Sequence, residues 1–90
     1  MLERVSEHLQ AAMKARDRHR IRALRLAKTR LADATRYGVN AATVRTILAS
    51  MLAESEEQLT TYARAGREDL ADAEVAEVAV YEELLRELDG

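Results

Sequence analysis

The sequence predicts an all-α fold, either a four-helix antiparallel bundle or a pair of helical hairpins, and three observations carry that reading. Proline is absent and glycine occurs only three times, and these are the two residues that most weaken a helix interior. The apolar residues are dominated by Ala and Leu, which lose little rotamer freedom in a helix. Apolar positions also recur at three- and four-residue steps through four segments. At 90 residues the chain supports one core, so residues 1–90 are read as a single domain.

The first helix runs from Leu2 to Ala15, with Leu2, Val5, Leu9, Ala12 and Met13 on one side. A break follows at Arg16-Asp17, where Asp17 is a suitable N-cap for a second helix from Arg18 to Tyr37. Ala23, Leu24, Ala27, Leu31 and Ala34 form the stripe of that helix, and Arg18, Arg22 and Arg25 lie opposite. Gly38-Val39-Asn40 is a turn, with Gly38 as a helix stop and Asn40 as the next N-cap. The third helix spans Ala41 to Ala65, its stripe of Val44, Ile47, Leu48, Met51, Leu52, Leu59 and Tyr62 interrupted by Ser55 and Gln58. Gly66 stops it. A fourth helix opens at Arg67-Glu68-Asp69, with acidic groups opposing the helix dipole, and reaches Leu88.

Composition removes several classes of function. Cysteine is absent, which excludes disulfides and thiolate chemistry and fits a reducing compartment. No segment has the uninterrupted apolar run of a signal peptide or membrane span, so a cytoplasmic protein without membrane contact is expected. The formal net charge of −2 hides a division. Residues 1–45 carry 11 Lys/Arg against 4 Asp/Glu, and residues 46–90 carry 3 against 12, giving halves of +7 and −9. Such a chain can pair its halves internally or present a basic face to a polyanion.

Particular residues resemble a known family. Tyr62-Ala63-Arg64-Ala65-Gly66-Arg67-Glu68-Asp69-Leu70, followed by Glu74, Ala76 and Glu77, is similar to the GatB/YqeY pattern of an aromatic, then Ala-Gly-Arg-x-Asp-Leu and a Glu-x-x-Glu helix. Ala12-Met13-Lys14-Ala15-Arg16-Asp17 and Leu24-Arg25-Leu26-Ala27-Lys28 match its N-terminal half in the same order. The resemblance covers nearly the whole chain. It implies an all-helical domain akin to the tail of the amidotransferase B subunit, which recognises tRNA while misacylated Glu-tRNA or Asp-tRNA is amidated. The family label is attached to carbon–nitrogen ligase activity with glutamine as amide donor, but that chemistry resides in other domains and subunits. Family members carry Tyr-Leu-Pro where this chain has Leu84-Leu85-Arg86, and continue into a second small subdomain; the expectation is a shortened homologue with the first subdomain only.

Two groups of residues stand out as candidate sites. Glu74 and Glu77 fall within about 40° of Leu70 on an ideal helical wheel, inside an apolar stripe where carboxylates need partners. Arg67, Glu74 and Glu77 are read as a structural ion-pair cluster, with Arg25 or Lys28 as further partners across the bundle. The basic run Lys14, Arg16, Arg18, Arg20, Arg22, Arg25, Lys28 and Arg30 is either a solvated, internally paired face or a phosphate-binding one. In the second case Lys14, Arg18, Arg22 and Arg25 contact RNA. The absence of Phe and Trp disfavours sequence-specific reading of single strands and leaves contact by backbone and shape.

No Ser-His-acid order, Gly-rich phosphate loop or Glu-x-x-His metal pair occurs, so no enzyme activity, cofactor or metal is expected. The expected function is a non-catalytic accessory module, associated with tRNA or another structured RNA, or with a translation-associated protein. The alternative is a protein–protein or self-association module without RNA binding, docking through Val75, Val78 and Leu85.

Overall fold

Four helices make up the chain in a computed structural model that describes residues 1–38 and 40–90. They are α1 (Leu2–Ala15), α2 (Arg18–Thr35), α3 (Ala41–Arg64) and α4 (Glu68–Asp89). Both expected N-caps form. Asp17 Oδ1 accepts the Arg20 amide at 3.2 Å, and Asn40 Oδ1 accepts the Thr43 amide at 3.0 Å. The turn read at Gly38-Val39-Asn40 includes Val39, which lies outside the described residues; Gly38 takes φ 75°, as a helix stop requires.

The α1–α2 and α3–α4 corners are built alike. The Arg16 amide donates to the Met13 carbonyl and the Asp17 amide to that of Ala12, while Gly66 and Arg67 repeat this on Ala63 and Tyr62. This pattern satisfies the last helical carbonyls and requires one left-handed residue. Gly66 supplies it at φ 72°, but Arg16 must supply it at φ 56°, a conformation in which its Cβ crowds the backbone.

Tight corners make two hairpins, α1 on α2 and α3 on α4, and α2 joins them by lying against α4. The paired-hairpin form of the expected fold is the one adopted. The core is formed by Val5, Leu9 and Ala12, by Ala23, Leu24, Ala27 and Leu31, by Leu48 and Met51, and by Val80, Tyr81 and Leu84. Ala23 and Ala27 are fully buried and small, which leaves room at the seam for Tyr81, the largest buried side chain. Met13, expected in the core, is instead 50% exposed.

The corners give an opposed pair of tests. Arg16→Gly should raise stability by about 0.5–1 kcal/mol in urea unfolding, because relief of the left-handed strain exceeds the added backbone entropy. Gly66→Ala should lower it by about 1 kcal/mol, since an added Cβ there meets nothing within 4 Å and only the backbone conformation opposes it. Effects of the same sign at both corners would contradict this account.

Candidate nucleic-acid interface

Charge pairing between the halves sorts the arginines. Arg4 Nη2 lies 2.7 Å from Glu87 Oε1, Arg20 Nη2 lies 2.9 Å from Glu83 Oε2 and Arg30 Nη2 lies 3.3 Å from Glu54 Oε2; Arg45 pairs with Asp89. His8 sits between the first two pairs, with Nε2 2.8 Å from Glu87 and Nδ1 3.5 Å from Glu83. The Arg4 hydrogen bond, then that of His8, holds the Glu87 carboxyl below its ordinary range. His8, Glu83 and Glu87 converge closely enough to hold a metal ion, yet Arg4 and Arg20 already neutralise both carboxylates. Local spacing gave no sign of this cluster, because its members lie at opposite ends of the chain.

Among the described residues, Lys14, Arg16, Arg18, Arg22 and Arg25 form no ion pair. Arg16, Arg18, Arg22 and Arg25 line one open groove of about 560 Å³ at the α1–α2 corner, floored by Met13 and Ile21. The structure thus brings together three of the four cations expected at an RNA surface and adds Arg16, from the corner itself. Lys14 is exposed on the last turn of α1 and does not line the groove.

The expected ion-pair cluster has different members. Arg67 pairs with Asp69, Nη2 to Oδ2 at 3.2 Å, on the exposed start of α4. Glu74 stands seven residues farther on, roughly 10 Å along the helix axis, so Arg67 is not its partner. Glu74 and Glu77 are nonetheless buried, at 9% and 6% exposure. They border a pocket of about 300 Å³ with Arg22, Glu54, Ser55, Gln58 and Tyr81. Tyr81 donates to Glu77 Oε1 at 3.0 Å, and its hydroxyl lies 3.5 Å from the Ala23 carbonyl. Ser55 and Gln58, which break the apolar stripe of α3, do so opposite these carboxylates. Arg25 and Lys28 do not line the pocket; Arg22 does.

Burial, then the hydrogen bond and charge of Glu77, raises the Glu74 pKa from 4.5 to about 7, while Ser55 and the Arg22 charge pull it back in part. The Tyr81 phenol is raised by burial and by Glu77, and stays protonated as a donor. The Tyr81 hydroxyl, set between Glu77 and the Ala23 carbonyl, ties α4 to α2 at this height. Arg22 faces both the pocket and the groove. On the outer edge of α4, Val75 is 52% exposed, Val78 is half-buried and Leu85 packs on the core. The apolar edge expected there is therefore small.

The fold and groove define a class: an all-helical module of paired hairpins with a cationic corner. A family model described as Yqey-like protein matches residues 2–88, and the chain belongs to this family. No curated protein and no solved structure matches it. No helix among the described residues is long and apolar enough to cross a membrane.

Protonation supplies one test. Below pH 4.5 both folded and unfolded chains hold the Glu74 proton and its stabilisation is complete. As pH rises towards 7 the unfolded chain releases the proton first, so stability is lost through that window. Urea unfolding should show wild type losing stability relative to Glu74→Gln between pH 4.5 and 7, and a pH-independent difference would contradict the raised Glu74 pKa. Tyr81→Phe, which leaves a buried carboxylate oxygen short of a donor, should lose about 1–3 kcal/mol. Arg67→Ala should leave stability unchanged.

Proposed function

We propose that this YqeY-like module is a non-catalytic, cytoplasmic accessory domain that binds the phosphate backbone of tRNA or another structured RNA, in association with translation. One observation carries the proposal: with Arg4, Arg20, Arg30 and Arg45 held by carboxylates, Arg16, Arg18, Arg22 and Arg25 remain unpaired around a single groove among the described residues. Guanidinium forks match phosphate oxygens, and each neutralised phosphate releases counterions, so such a cluster gains affinity from entropy. The family's kinship with an amidotransferase tail supports tRNA as the RNA class. In this reading the amide-transfer chemistry belongs to a partner, and this chain contributes position.

Filter binding with bulk tRNA across a salt series tests the proposal. Binding should be present at low salt and fall steeply as salt rises. Replacing Arg18 and Arg25 together by Glu should weaken it at least tenfold, and removing two phosphate contacts should reduce the logarithmic salt slope by about two. Arg22 is unsuitable for this purpose because it also faces Glu74. A salt-independent signal, or none at low salt, removes the RNA reading.

A further inference from the structure

We infer that the α1–α2 groove receives an unpaired nucleotide of the RNA, with its base on Met13 and Ile21 and its flanking phosphates on Arg16, Arg18 and Arg25. This inference rests on the RNA reading above and deepens it. A surface that contacts only phosphates needs charge and no apolar floor. Here the floor is a half-exposed methionine and a partly buried isoleucine, and the arginines stand around it. In a duplex the base faces are stacked away, so Met13 and Ile21 would meet sugar, phosphate and water. An unstacked base presents a flat apolar face to them.

Three features of the groove suit that occupant. Its volume of about 560 Å³ falls within the range of small-ligand sites, roughly 300–1,000 Å³. Methionine sulfur packs favourably against aromatic ring edges. Unpaired guanidinium planes stack on bases as well as forking onto phosphate. The groove therefore supplies a stacking surface without Phe or Trp, neither of which the chain contains. Tyr37, at 87% the most exposed large hydrophobic side chain among the described residues, lies just past the other end of α2 and is not part of it.

The test uses the full chain and fluorescence anisotropy at low salt, with a blunt RNA duplex and the same duplex carrying a short unpaired adenosine overhang. The overhang should bind roughly two- to tenfold more tightly, as expected for one base packed on a methionine sulfur. Met13→Ser should abolish that advantage, so that the overhang RNA binds no more tightly than the blunt duplex measured with the same variant. Met13→Leu should keep most of it. Met13 is half-exposed, so both variants should melt close to wild type, which circular dichroism checks. Equal binding of the two RNAs, or an overhang advantage that survives Met13→Ser, overturns the inference while salt-dependent binding of the blunt duplex preserves the RNA reading. No binding by either RNA removes both. Displacement of both RNAs by an equimolar glutamate-rich helical peptide would assign the groove to a protein partner and also overturn the inference.

Discussion

Glu83 and Glu87 on α4 hold Arg4, His8 and Arg20, and this contact joins the N-terminal hairpin to the C-terminal one and sets which cations are already paired. Isolated surface ion pairs contribute little, but a network with shared acceptors and a largely covered histidine is better placed. Its larger consequence is one of allocation. The carboxylates of α4 reach the flank of α2 that bears Arg20, and Glu54 on α3 reaches Arg30. Arg18 and Arg25 lie on another flank, beyond that reach, whereas Arg22 forms no ion pair but borders the Glu74 pocket. A chain of nearly balanced charge thus keeps a local positive field at one corner, which steers anions more than the net charge would indicate.

The seam between α2 and α4 depends on a second compromise. Two buried carboxylates would repel in a low-dielectric interior, yet they are retained, with Tyr81 donating to Glu77, Ser55 beside them in the same pocket, and burial favouring the protonated form of Glu74. Buried polar groups are tolerated when their hydrogen bonds are complete, and here no buried side-chain polar atom among the described residues lacks a partner. The alanines of α2 allow this layer to form. A larger residue at Ala23 would crowd Tyr81, whose hydroxyl lies 3.5 Å from the carbonyl of that fully buried alanine. Arg22 borders both this layer and the groove.

The helices, their caps and the glycine stops were legible in the sequence because they depend on local chemistry. Asp17, Asn40, Gly38 and Gly66 each act within a few residues of their own position. The buried setting of Glu74 and Glu77 was legible for the same reason, through the helical period. Their partners were not. A helical wheel reports direction and discards height, so Arg67 seemed close to Glu74 although two turns separate them. Met13 continued the α1 stripe and was read as core, but the chain reverses three residues later and no helix covers that end. The left-handed corner at Arg16 gave no signal, because the residue that usually marks such a corner is glycine. The His8 cluster joins opposite ends of the chain and required the tertiary fold. Arg18, Arg22 and Arg25 are legible because one helical face displays them together, but that they form no ion pair is visible only with the pairs of Arg20 and Arg30.

The claim on which the rest turns is that the acidic half neutralises a defined set of arginines and leaves the α1–α2 corner as the anion-facing surface. Amide chemical-shift mapping of the isotope-labelled chain during titration with a structured RNA tests it directly. The account predicts perturbations confined to residues 13–25 and to the pocket residues that adjoin Arg22. Shifts centred on the outer face of α4, or spread evenly over all four helices, would contradict it.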